Sequence, residues 1–311
     1  MPYGAGIYAQ GSSNQPVTLT IELIGENTIT GTFGIYVNAT PPTTPGTDAS
    51  LVIKKSGDNG SLTVTGTGNS GLHIISGTGD ASLTIKNASV DAKTTQTYSS
   101  YAGVCVQSGA SATDAPNISL SVDGGSLTAS GGTSSDGILF YVGSSQATGA
   151  TTSLTVSENA IVDARNGGIS ASGVSVNPNV DIGSTDSTGG IVFDGNEGTV
   201  YGDVELQEDL EIGEGESLTI PEGSTLNTNG NLTNNGTIIV EAGGTLTGGP
   251  GGIIVTAPAI TTESLPEGTV DQSYNAELKA TGNNITWSAS GLPDGLTLDA
   301  DTGIISGTPT S

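Results

Sequence analysis

The chain has 311 residues, with 49 glycines, 4% aromatic and 12% charged residues, and a formal net charge of -25 from 31 acidic and six basic side chains. That balance excludes nucleic-acid binding, which needs a basic footprint to displace counterions, and it disfavours docking on anionic membranes. Cys105 is the only cysteine, so no internal disulfide forms, and neither end carries a targeting segment or an apolar run long enough to span a membrane.

A phrase of Ser-Leu, then Thr, Ser or Val, then Val or Ile recurs at Ser50–Ile53, Ser61–Val64, Ser82–Ile85, Ser119–Val122, Ser153–Val156 and Ser217–Ile220. A second phrase, glycine plus alternating apolar residues, starts at Gly6, Gly34, Gly71, Gly103, Gly137, Gly168 and Gly190, in steps of 22 to 37 residues. Internal repeats at that period imply stacked units, each unable to bury its apolar face alone. Within a unit, residues 82–92, 119–129 and 153–164 align, the last with one inserted residue. This predicts three short strands per repeat, the third being the Gly-led one, with period-two burial of one face. The inward residues are then Leu83 and Ile85, Leu120 and Val122, Leu154 and Val156, and in the Gly-led strands Ile35/Val37, Leu72/Ile74, Val104/Val106, Ile138/Phe140 and Ile191/Phe193. Glycine at each strand start is expected where the chain turns with positive φ. No segment has capped 3.6-residue periodicity, which argues against βαβ units. Loops 40–49, 93–102 and 142–152 are the longest, and recognition on a rigid stack usually sits in such loops.

From Gly198 the apolar period shortens to 6–8 residues, through Val204, Leu210, Leu218, Leu226, Leu232, Ile238 and Leu246, which predicts narrower terminal coils. Gly248–Gly252 reads as a linker, after which strands are expected around Tyr274–Leu278, Ile285–Ala289 and Leu296–Leu298. The expected domains are therefore 1–197, 198–252 and 253–311. The fold class is all-β: a right-handed parallel β-helix, its hand taken from the general preference of parallel crossovers, then a partial immunoglobulin-like β-sandwich. Both ends read as cut: Gly6-Ile-Tyr-Ala looks like the last strand of a repeat, and the final module stops short.

Two resemblances extend this reading. Residues 256–311 resemble the immunoglobulin-like (cadherin-like) modules of bacterial surface proteins. Leu265-Pro-Glu-Gly, Tyr274, the Trp287-to-Leu298 stretch with Gly-Leu-Pro-Asp-Gly-Leu, and Asp301-Thr-Gly-Ile-Ile-Ser-Gly-Thr-Pro309 carry the likeness. On repeat grammar, residues 1–252 resemble the β-helical ectodomains of secreted Gram-positive bacteria, a fold shared with pectate lyases. The resemblance implies an extracellular, cell-surface module of a larger bacterial protein. Its expected partner is a polysaccharide or host cell-surface glycan, with the chain acting as a monomer, as an adhesin or carbohydrate-binding part rather than an enzyme. A polysaccharide lyase or glycoside hydrolase on the same fold is the competing class, and a passive stalk the third.

The outward column of the Gly-led strands reads Tyr8, Tyr36, His73, Cys105, Leu139, Ser170 and Val192, with Tyr141 just beyond. Tyr8, Tyr36, His73 and Tyr141 could stack on sugar rings, since an aromatic face offers apolar area with a polar edge. Packing of the column beneath a loop is the alternative, favoured by Cys105 and Leu139. Asp91 and Asp163 occupy equivalent positions with Thr128 between, about 10 Å apart at two strand spacings, and Arg165 follows. An enzyme would use them as acids or cation ligands, whereas the structural reading is a surface ion pair. The stretch from Asp194 to Glu222 holds ten carboxylates and no basic residue. Calcium is the one cofactor this suggests, with Asp203, Glu205 and Asp209 as ligands, against a solvated acidic face.

Overall fold

The computed structural model describes residues 4–11, 15–39, 47–109, 115–143, 149–172, 180–184, 188–249, 252–256, 258–282 and 285–310, and these form strands and turns with no α-helix among them. Most of loop 40–49, positions 144–148 of loop 142–152 and Pro250 and Gly251 of the expected linker lie outside the described residues.

The first part of the chain alternates short and long strands: β1 (Ile7–Gln10), β2 (Val17–Gly31), β3 (Ile35–Asn38), β4 (Ala49–Gly66), β5 (Leu72–Ser76), β6 (Ala81–Thr94), β7 (Ala102–Ser108), β8 (Asn117–Ser130), β9 (Asp136–Val142), β10 (Thr151–Ser157), β11 (Ala160–Ala164), β12 (Ile169–Ser172) and β13 (Asp181–Ser184). The Gly-led strands form one six-stranded sheet, ordered β1-β3-β5-β7-β9-β12 and parallel throughout. The long strands pair in parallel as β2-β4-β6-β8, and β8 then pairs with both β10 and β11.

The expectation of three short strands per repeat needs one correction. The first two merge into a single paired strand of 14 to 18 residues that bends at a left-handed residue. Gly25 (φ 67°), Asn87 (φ 50°), Gly124 (φ 69°) and Gly125 (φ 74°) make that bend without ending the strand. Only the repeat with the inserted residue splits, between β10 and β11, where Glu158 and Asn159 both have positive φ.

Registry stacks like on like. Leu19, Leu51, Leu83, Leu120 and Leu154 align on consecutive strands, as do Ile21, Ile53, Ile85, Val122 and Val156. Ile35, Leu72, Val104 and Ile138 face them from the other sheet. All but Leu19 and Ile21 of these are fully buried, and each contributes roughly 1.5–3 kcal/mol by leaving water. A polar ladder ties the strand entrances: Asp48 Oδ1 accepts from the Asp80 N–H at 3.0 Å, Asp80 Oδ1 from the Asn117 N–H at 2.8 Å, and Asn117 Oδ1 from the Thr151 hydroxyl at 2.7 Å. Each side chain thus satisfies a group at the entrance of the next long strand.

The strand-leading glycines are required for a different reason from the one the sequence suggested. Gly34, Gly71, Gly103 and Gly137 do not have positive φ. They sit where the Gly-led strand passes against the end of the long strand, and a Cβ on Gly103 would meet Ala92 O at 2.5 Å, Ser130 N at 2.6 Å and Ser130 O at 2.9 Å. Only Gly168 of the series combines its place with positive φ (73°).

A second correction concerns Gly190. It begins β14 (Gly190–Asp194), which leaves the Gly-led series, pairs in parallel with β11 in the long-strand sheet, and turns back antiparallel into β15 (Glu197–Tyr201). Val192 therefore does not continue the outward column. β14 is buried on both faces: Val192 belongs to the core of the long-strand coils, while Ile191 and Phe193 open a second core with Val200, Val204, Ile212, Leu218, Leu226 and Ile238. Beyond it lie β16 (Asp203–Glu205), β17 (Leu210–Ile212), β18 (Ser217–Ile220), β19 (Thr225–Asn227), β20 (Leu232–Asn234), β21 (Thr237–Val240), β22 (Thr245–Thr247) and β23 (Ile253–Thr256). These wrap the second core in three parallel stacks, β15-β18-β21-β23, β16-β19-β22 and β17-β20.

The C-terminal strands are β24 (Ala259–Ile260), β25 (Tyr274–Glu277), β26 (Ala280–Thr281), β27 (Leu296–Leu298) and β28 (Ile304–Gly307), all antiparallel, in sheets β24-β26 and β25-β28-β27. Asp299 Oδ1 caps the turn by accepting from the N–H groups of Asp301 (3.0 Å) and Thr302 (2.9 Å), and those bonds, Thr302's first, hold its carboxyl below the usual range. Gly303 (φ 72°) lies under the Trp287 indole, where a Cβ would come 2.6 Å from the ring.

Candidate functional site

The expected column exists in register from Tyr8 through Tyr36, His73, Cys105 and Leu139 to Ser170. It falls into two clusters. Tyr8 and Tyr36 have ring centroids 5.4 Å apart, Phe33 stacks on Tyr36 at 4.3 Å and 9°, and His73 lies 5.3 Å from Tyr36 and 5.4 Å from Phe33. Asn38 Nδ2 donates to the Tyr36 hydroxyl at 2.9 Å. Tyr8 and Tyr36 are half-buried in this aromatic cluster. Phe33 was not foreseen, because it stands in the turn between the long and the Gly-led strand, where period-two alternation gives no signal.

The other cluster buries Cys105 and Leu139 with Ala102, and Tyr141 packs against them. Tyr141 is in register with Gln107 and Ser172. The segment before β7 comes down here, with Tyr98 and Tyr101 edge to face at 6.2 Å. Between it and the sheet lies a pocket of about 420 Å³: Cys105 and Leu139 form its floor, His73, Tyr101 and Tyr141 its walls, and Ser99, Ser100, Gln107 and Ser172 its rim. Of the four expected ring-binding residues, His73 and Tyr141 thus meet in one pocket, while Tyr8 and Tyr36 pack with Phe33.

His73 is 9% exposed, and burial lowers its pKa from 6.5 to about 4. The ring is therefore neutral at pH 7 and carries one N–H. Nδ1 lies 3.1 Å from Asn69 Oδ1, an oxygen that already accepts from the Ser70 N–H at 2.8 Å. Nδ1 must then be the donor, which leaves Nε2 an acceptor, 3.1 Å from the atom placed as Oε1 of the Gln107 amide. The neutral ring is satisfied when that amide turns its NH2 to Nε2, which points its carbonyl oxygen away from the ring. Burial, with a further push from the charge of Asp136, raises the Cys105 thiol to about 12, so it is a protonated apolar floor. At the end of the column Ser170 bonds Asp136, whose carboxyl is raised chiefly by burial.

Asp91, Thr128 and Asp163 are in register as expected. Asp91 pairs with Lys93 at 3.6 Å and Asp163 with Arg165 at 3.8 Å. Arg165 reaches further: its guanidinium lies 4.0 Å from the centre of the Phe193 ring, 3.6 Å from Glu216 and 3.0 Å from the Glu211 carbonyl. It thereby clasps the first coils to the second core. Of the three residues expected to hold calcium, Asp203 and Glu205 are exposed on β16, Asp209 is exposed ahead of β17, and Glu205 Oε1 accepts from Asn229 Nδ2 at 2.8 Å. Among the described residues no group of three or more His, Cys, Asp or Glu side chains converges as a metal site.

Comparison with known proteins bears on the C-terminal strands. Residues 254–311 match the family described as "Putative Ig domain". The class so defined is an all-β chain whose C-terminal strands form an immunoglobulin-like module. No curated protein and no solved structure matches the chain.

Proposed function

We propose that this chain is a non-enzymatic, extracellular module of a bacterial cell-surface protein that holds glycans, on coils forming a right-handed parallel β-helix. The parallel registry of the Gly-led sheet and of the long strands supports the coil, and the general hand of parallel crossovers supports its sense. The observation that carries the ligand class is the pocket beside His73. Its volume suits one or two small rings, its floor is apolar, and its walls are a tyrosine pair and a neutral imidazole under a hydroxyl and amide rim. A pyranose presents that same combination, an apolar face edged by hydroxyls. The neutral His73 favours an uncharged sugar, and the net charge of -25 works against an anionic one. Asp91 and Asp163 are each tied to a neighbouring cation, which supports a structural use for them.

Calorimetric titration of the chain with neutral oligosaccharides tests this. The expected result is saturable binding that Tyr141→Ala weakens about tenfold or more, as loss of one stacking ring does, while Tyr274→Ala, at a ring of the C-terminal strands outside the pocket, leaves it unchanged. Equal affinity in both variants, or no binding to any neutral sugar, would overturn it.

A further inference from the structure

A larger concavity follows the bend of the long strands. Just past the bend, Glu26, Ser61, Ser89, Ser126 and Ile161 are in register on five consecutive strands. The left-handed residues at the bend, Gly25, Asn87, Gly125, Glu158 and Asn159, fold the two halves of each strand about this row. The result is a groove of about 720 Å³ whose lining runs from Glu26 to Ile161 and is closed at one end by Gln207 and Glu208. Four strand spacings make the row about 19 Å long.

The lining is polar along most of that length. Three serine hydroxyls repeat once per strand, and the amides of Asn87, Asn159 and Gln207 flank them. Ile161 is the only large apolar side chain in the lining, and no aromatic ring is present there. Glu26, Glu158 and Glu208 face a single ammonium, that of Lys55, so the groove repels polyanions. The far end is already fixed: Asn159 Oδ1 accepts from the Glu205 N–H at 2.8 Å, and Glu158 Oε1 accepts from the Thr188 hydroxyl at 3.3 Å. A rigid track that offers hydroxyl and amide partners at a regular short spacing fits a ligand that repeats hydroxyls along its own length, and it loses little ordering entropy on binding.

We propose that this groove binds an extended, uncharged, hydroxyl-rich polysaccharide lying across the coils. It is a second site, separate in its residues from the pocket at His73, which would take one or two rings. The inference shares with the proposed function only the class of ligand.

Affinity electrophoresis of the full chain through soluble β-glucan, galactomannan or polygalacturonate tests it, with folding of each variant checked by circular dichroism. The expected result is retardation by a neutral polymer for the wild type and for Tyr141→Ala. Retardation should weaken roughly tenfold, about 1.4 kcal/mol, in Ser89→Tyr/Ser126→Tyr, which fills the groove from two half-exposed strand positions. Polygalacturonate should not retard the chain. A second measurement needs no variant: acetylation of Lys55 should slow in the presence of the neutral polymer while that of Lys279 does not. Retardation by neutral polymer that survives groove filling, retardation by polygalacturonate alone, or unprotected Lys55 would overturn the proposal. Loss of small-sugar binding in Tyr141→Ala with polymer binding intact would support both sites. No small-sugar binding alongside groove-dependent retardation would sink the pocket and keep the groove.

Discussion

His73 couples the pocket to pH. Its folded pKa of about 4 lies below the ordinary 6.5, so between those values the unfolded chain takes up a proton that the folded chain refuses. Stability is therefore full above about pH 6.5 and declines as pH falls towards about 4, by on the order of 3 kcal/mol. Urea titrations at pH 7 and pH 4.5 should show that loss, and His73→Phe, which keeps a ring beside Phe33 and Tyr36, should flatten it. A slope unchanged by the substitution would assign the pH dependence to carboxylates instead. Cys105 gives a second check at this scale. Its buried thiol should resist a disulfide reagent in the native chain and react stoichiometrically in denaturant. Gly103→Ala should cost about 1–3 kcal/mol or more, read from the urea midpoint, because the carbonyl and amide atoms around it are backbone and cannot rotate aside. That position shows where sequence reasoning stopped: the glycine series was legible, but its cause is close approach between strands, and a contact between two non-adjacent segments leaves no local mark. Leu139 and Cys105 were more telling, since apolar residues on an outward face already pointed to the segment that covers them.

At the scale of the strand, the Leu and Ile ladders carry the stack. Leu83 is fully buried between Leu51 and Leu120, and neither neighbour can close the gap without shifting its own coil. Leu83→Ala should cost about 2–5 kcal/mol. A loss under 1 kcal/mol in urea titration would show that the coils relax around a missing rung, against the close registry described here. Period-two alternation made these inward positions readable from the sequence, because burial of one face follows the strand repeat. The merging of two short strands into one long strand was not readable. A left-handed Gly or Asn reads as a turn, and whether pairing continues through it depends on the adjacent strand doing the same. β14 misled for a related reason: Gly190-Ile-Val-Phe has the grammar of a Gly-led strand, yet three consecutive apolar residues also suit a strand buried on both faces, and this one separates two cores.

At the scale of the molecule, the immunoglobulin-like strands bury little. Among their described residues only Ala276, Ile305 and Pro309 are buried apolar side chains, whereas the repeats fill two continuous cores. A small sandwich with so little buried area is marginal on its own. Trp287, the only tryptophan, sits in that module on Gly303, so its fluorescence should change at lower denaturant than the far-ultraviolet ellipticity of the coils. Coincident transitions would mean the module is stabilised by the rest of the chain. The division into repeats and C-terminal module, and the outward column of the Gly-led sheet, could be read from repeats and motifs. The groove could not, since its lining residues are ordinary serines and asparagines until the bend brings them into one row. The most direct test of the glycan-holding, non-enzymatic account is to incubate the full chain with a neutral polysaccharide and follow bound polymer and polymer length in the same sample over time. The account predicts saturable binding with the chain length of the polymer unchanged. Appearance of shortened chains or unsaturated sugar ends, or no binding at any polymer concentration, would contradict it.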